Sequence, residues 1–321
     1  MARSLWNRLL RRRPRRHQAF FERVLGTSLE LQVVVHDRGA AELAERVILD
    51  EIRRLEQVFS VFLPASELSS WSRTLDRPVV ISTELAAALE AAERWRVLTA
   101  GAFDPRAELL TRYWHSRELD SNMSPAFPPP LGSGPDSPLW VVERGEGQTT
   151  ARKLTPDPIS LNALAKGIII DRACEAAFRI EGVREALVNI GGDLRHLGEG
   201  SIAVGVADPF SDAENVPPLE SVRISGQGLA TSGSYRRGFR IGDRHHSHIL
   251  DPHSGAPASE VLSATVIAAT AADADALATA FSVLPPERSI EIANSLPAVA
   301  CLLVTADRRV FRSSRWPPQA S

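Results

Sequence analysis

Strands and helices that interleave without a strict βαβ rhythm predict an α+β protein of layered mixed sheets with packed helices, rather than a doubly wound nucleotide fold. Three observations carry this. The run LELQVVV at 29–35 is rich in β-branched residues and reads as a strand. Directly after it the period changes, and Leu43, Val47, Ile48, Ile52 and Leu55 recur at helical spacing, as on an amphipathic helix laid on a sheet. Late in the chain SIAVGVA, SATVIAA and AVACLLV read as further strands, with the helix ADALATAFSVL between the last two.

The remaining elements follow in order. A second helix is expected from Thr83, a residue suited to an N-cap, through ELAAALEAAERWRVLTA to a stop at Gly101. Residues 120–138 are dense in proline, serine and glycine, cannot sustain helix or sheet ladders, and are expected to be a surface excursion. LNALAKGIIIDRACEAAFRI is expected to be helical, and ALVNI is a short buried strand ending at Gly191 and Gly192. No internal repeat is evident, so residues 20–316 are expected to form one unit behind a basic, disordered tail at 1–19.

Bulk composition narrows the classes. At 321 residues with 44% hydrophobic and 24% charged residues, the chain has the balance of a globular protein with a sizeable core. A formal net charge of -2 exerts no global pull toward nucleic acid, and none is expected as a partner. Seven arginines in the first sixteen residues could touch RNA or anionic lipid, but a short basic end is more often a solvated tail. No apolar run of signal-peptide length follows them, and nothing approaches the roughly 18 apolar residues that span a bilayer, so a cytoplasmic location is expected. Cys174 and Cys301 stand far apart in apolar settings and read as core residues.

Several segments could carry chemistry. In ADALAT, Asp275 and Thr279 are four apart on an expected helix, so a carboxylate and a hydroxyl project side by side and could hold Mg²⁺. On spacing alone the plainer alternative prevails, a hydroxyl bonded back to the helix and a carboxylate on a wet face. In LNALAKG, small alanines precede Lys166, which could bring a point charge to a phosphate or be a surface lysine; the spacing excludes a P-loop. Phe103 and Asp104 of GAFDP could stack on and accept hydrogen bonds from a flat heterocycle, or Phe103 could be a core plug. Asp193 of NIGGDL could bond its own turn, and ATSGSY could hold an anion or form a plain hairpin. HHSHILDPHSG puts three histidines within four residues. As a strand it would place His246 and His248 on one face, but no third zinc ligand is obvious nearby, and His248 could instead act as a general base.

Together these segments, with FSVFLPASELSSWS at 59–72, ALAKGIIID at 163–171 and SHILDPHSG at 247–255, resemble the ApbE family of FAD:protein FMN transferases over roughly residues 24–313. The resemblance implies a T-fold-like flavin transferase architecture. It also implies a Mg²⁺-dependent enzyme that takes FAD as substrate, attaches FMN to a threonine or serine hydroxyl of an acceptor flavoprotein and releases AMP. Under it Asp275 and Thr279 are metal ligands, contrary to the spacing argument, with the carbonyl of Ala163 beside them. Ser160, Lys166, Ala102, Phe103 and Asp104 fall at nucleotide contacts, Leu25, Phe62 and Ile249 line the pocket, and His248 is the base beside the catalytic Asp275. The chain departs from the family where Phe62 replaces the usual Tyr, Ser72 an Asn, Ser160 an Asp and Leu25 a Met. Loss of the carboxylate at Ser160 keeps two alternatives in view, a Mg²⁺-dependent FAD pyrophosphatase and a non-catalytic FAD-binding protein.

Overall fold

The computed structural model describes residues 14–119, 128, 130–131, 137–211, 216–233, 238–241 and 244–320. The first thirteen residues, most of the 120–138 excursion, and Ser234 and Tyr235 of ATSGSY lie outside the described residues.

An eight-stranded sheet forms the centre, and all of its ladders are antiparallel. In spatial order its strands are β1 (Arg15–Val24), β2 (Thr27–Val35), β6 (Val183–Ile190), β7 (Asp193–Gly198), β10 (Gly228–Gly233), β13 (Val261–Ala268), β14 (Ala300–Thr305) and β15 (Val310–Arg312). A three-stranded sheet joins β3 (Pro78–Ile81), β5 (Thr149–Lys153) and β4 (Trp140–Arg144). Two ribbons complete the set, β8 (Ile202–Val206) with β9 (Glu220–Ile224) and β11 (Gly238–Ile241) with β12 (Arg244–Ser247).

The pleat decides which face is covered. In β2 the side chains of Leu29, Leu31, Val33 and Val35 are buried while Glu30, Gln32 and Val34 on the other face are partly exposed. On the buried face lie α1 (Arg38–Phe59), α5 (Asn162–Phe178) and α6 (Ala271–Phe281), with α5 between the other two. Helix α1 turns Ile48, Ile52 and Leu55 inward and starts at Asp37, whose carboxylate accepts the Ala40 N–H. Helix α3 (Thr83–Leu98) links this layer to the three-stranded sheet. The opposite face is only partly roofed, where Val222 and Ile224 of β9 pack on Leu187, Leu194, Leu229 and Ile267.

Some elements differ from the sequence expectation. Strand β1 begins at Arg15, inside the stretch assigned to the basic tail, because pairing with β2 orders an edge strand whose charged side chains face solvent. The N-cap of α3 is Ser82, whose hydroxyl accepts the Leu85 N–H, and Thr83 is the first helical residue. Three short helices were not foreseen: α2 (Glu67–Ser72), α4 (Ala107–Leu119) and α7 (Pro286–Ser295). Strand β12 ends at Ser247, so His246 and His248 do not share a strand face, and the His246 ring lies 5.7 Å from that of Trp114. Among the described residues there is no cluster of three or more metal-binding side chains, and no helix is long and apolar enough to cross a membrane.

Candidate active site

A cleft of about 500 Å³ opens where the β1–β2 turn, the end of α1 and the first turns of α5 meet. Leu25 and Gly26 form the turn, both with positive φ (50° and 78°), the geometry of a two-residue type I′ hairpin. Leu25 bears the side-chain crowding of that backbone region and lines the cleft. Beyond α1, the Ser60 hydroxyl accepts the backbone N–H groups of Phe62 and Leu63 at 3.2 and 3.3 Å, fixing a loop on which Phe62 stands 83% exposed at the cleft. Glu56 of α1 and Asn162, Ala165, Lys166 and Ile169 of α5 complete the wall.

Behind Lys166 lies a buried charge cluster. Its ammonium is 2.5 Å from Asp193 Oδ2, at the start of β7, and Asp193 Oδ1 accepts the Thr231 N–H at 3.2 Å. In the turn before it, Asn189 Oδ1 accepts the Gly192 N–H at 3.0 Å. Asp275 of α6 is 7% exposed, and its Oδ2 has no hydrogen-bond partner among the described residues. Burial pushes its carboxyl up to about 7; Lys166 and a backbone hydrogen bond from Gly167 oppose the shift and Asp193 reinforces it. An orphaned carboxylate oxygen of this kind costs folding energy unless something positive meets it. With Thr279 one turn along α6, half-buried, and Ala163 in the first turn of the adjoining α5, the donor set is all oxygen and suits a hard divalent cation.

With this geometry in hand, comparison with known proteins gives one answer. The sequence profile of the ApbE family matches residues 25–303. The chain belongs to the ApbE family. A Klebsiella pneumoniae FAD:protein FMN transferase is 29% identical over 296 residues, 91% of this chain and 90% of that protein, and a Treponema pallidum FAD:protein FMN transferase is 29% identical over 91% of this chain and 86% of its own length. The ApbE protein of Thermotoga maritima superposes with a TM-score of 0.76 at 25% identity, covering 94% of this chain and 97% of that one. The flavin transferase ApbE of Vibrio cholerae shares the fold, with a TM-score of 0.71 at 23% identity over 94% of this chain and 98% of that one.

Of the residues that the ApbE resemblance singled out, the cleft brings together Leu25, Phe62 and Lys166, and Asp275 stands behind Lys166. Residues 100–106 are not among those that line this cleft. Ala102 and Phe103 are core residues, and the Asp104 carboxylate is taken by Arg106, 2.7 Å away and equally buried. Ser160 joins this segment, its N–H donating to Pro105 O at 2.9 Å. His253 ties the segment to the turn after His248, with Nε2 2.9 Å from Ala100 O and Nδ1 3.1 Å from Asp251 Oδ1. Ile249 is buried beside this turn, and His248 is exposed just past the end of β12.

Among the cleft residues that the sequence reading of this ApbE protein did not single out are Glu56 and Asn162. Glu56 fell within the period of α1 and looked like an ordinary polar-face residue, and Asn162 was hidden by the alanines after it. Arg106, the partner that neutralises Asp104, gave no signal beyond its place two residues on.

Proposed function

We propose that this protein is an FAD:protein FMN transferase, cleaving the pyrophosphate of FAD, attaching FMN to a threonine or serine hydroxyl of an acceptor protein and releasing AMP. The observation that carries the proposal is the buried Asp275 carboxylate oxygen, without a hydrogen-bond partner among the described residues, beside the lysine that lines the cleft. Relatives that match this chain over nine-tenths of its length bear the name of that activity.

Each residue has a task in this reading. Phe62 offers an open ring face to a flat heterocycle, the interaction that survives replacement of the family's tyrosine. Lys166, steadied by Asp193, meets the negative charge of a phosphate at the inner wall. Glu56 and Asn162 supply hydrogen-bonding groups of opposite kind along the same wall. Asp275, Thr279 and the Ala163 carbonyl would hold Mg²⁺, whose charge offsets that of a pyrophosphate and of the departing AMP. His248, exposed just past the end of β12, takes the proton of the acceptor hydroxyl.

The test is to incubate the protein with FAD and Mg²⁺, with and without candidate acceptor proteins, and to follow both AMP and in-gel flavin fluorescence. A fluorescent acceptor band that EDTA abolishes supports the transferase. AMP release with no band for any acceptor carrying exposed threonines would replace it with the FAD pyrophosphatase.

A further inference from the structure

Helix α6 begins in a slot with no spare room. A Cβ on Gly167 of α5 would lie 2.5 Å from the Ala271 oxygen, and one on Gly228 of β10 would collide with the Ala271 nitrogen. Into this slot reaches Asp171, a carboxylate of α5 that is 7% exposed. The Ala271 N–H donates to its Oδ1 at 2.8 Å and the Ala272 N–H to its Oδ2 at 2.9 Å. From behind, Arg195 Nε of β7 lies 3.6 Å from Oδ1. The same strand holds Lys166 through Asp193, so β7 grips α5 at two points, with charges of opposite order.

Helix α6 has its own cap as well. The Thr270 hydroxyl accepts the Asp273 N–H at 3.0 Å, which satisfies the third N–H of the helix, whereas Asp171 takes the first two from another helix, 100 residues away. A bond made across elements does what a local cap cannot. It sets where α6 starts along its axis and how it is rotated, and Asp275 and Thr279 follow one and two turns later on the same rigid rod.

We infer that Asp171 is a positioning residue for the metal site, aiming Asp275 and Thr279 by fixing the first turn of α6 against α5. This rests on the metal reading proposed above. Residues that orient ligands typically change metal affinity by about 10- to 100-fold when altered.

The experiment titrates Mn²⁺ calorimetrically into the full chain without FAD, and measures FAD binding separately. Asp171→Asn is expected to weaken Mn²⁺ binding about 10-fold or more while FAD affinity stays within about twofold. Thr270→Ala, which removes the local cap but leaves the cross-helix bonds, is expected to bind Mn²⁺ like the wild type. Unchanged Mn²⁺ affinity in Asp171→Asn, or equal weakening in Thr270→Ala, would overturn the positioning role and leave the metal reading standing. Should Asp171→Asn not fold, Arg195→Gln is expected to show the selective loss in milder form, and an unchanged affinity there overturns the role equally. A wild type that binds no Mn²⁺ overturns the metal reading and this inference with it.

Discussion

Asp275 and His248 divide the proposed chemistry unequally, because one is a buried charge in a fixed setting and the other an exposed ring whose task water can share. Asp275→Ala is therefore expected to lower flavin transfer at least about 100-fold, the scale of losing a preorganised electrostatic group, and His248→Ala distinctly less. Comparable residual turnover in the two variants, measured as labelled acceptor per minute, would contradict the assignment. Phe62→Ala is expected to raise the KM for FAD about tenfold with kcat little changed, since an exposed ring contributes binding by stacking, and Phe62→Tyr should restore it. At this scale the sequence was legible in part. The i, i+4 spacing of Asp275 and Thr279 was visible, but the wet face that spacing alone favoured is a buried one. Burial of a helix face is decided by what covers it, here α5, and nothing in ADALAT names its neighbour. Asp104 shows the same limit, since it looked free to meet a ligand and instead meets Arg106.

Elements with strong periodicity were readable. Ile48, Ile52 and Leu55 marked α1, and the alternation of LELQVVV marked β2. Strand β1 was not, because RRHQAFFERV is an edge strand whose charged residues carry no core signal, and only its register with β2 identifies it. Helix α2 is six residues long, too short for a period to emerge. The close crossing of α5 and α6 was equally hidden, since nothing in LNALAKG shows that the missing side chain of Gly167 admits the Ala271 carbonyl. Gly167→Ala is expected to cost about 1–3 kcal/mol through overpacking. It should weaken Mn²⁺ binding as α6 is pushed outward, to be measured by denaturant unfolding beside the metal titration. An undisturbed variant would show that the two helices can part without consequence.

At the scale of the whole molecule, one contribution to the pH dependence of stability is expected from a histidine away from the cleft. His196 of β7 is 1% exposed; its Nδ1 accepts the Gly226 N–H at 3.3 Å, so the proton of the neutral ring sits on Nε2, 3.9 Å from Glu185. Burial holds its value below the ordinary 6.5, Glu185 opposing. A histidine depressed in the fold contributes stability that is fully present above pH 6.5 and is lost as pH falls through its folded value. On acidification below 6.5 this histidine is expected to subtract stability, against the gain from Asp275 and Asp171, whose carboxyls burial raises, and His196→Asn, which can still accept from Gly226, should shift the pH dependence of Tm toward greater acid stability. An identical pH dependence of Tm in the variant would rule this histidine out as the source.

The crowding around Ala271 also bears on how such a site can change over generations. Side chains that line a cleft, such as Phe62 in place of tyrosine, can be exchanged one at a time with graded effects. A crossing held by two absent side chains has no intermediate step, because the smallest addition at Gly167 or Gly228 already meets backbone. In a saturation library these two glycines should therefore behave as fixed points, while the cleft walls drift toward new flavin analogues or acceptors.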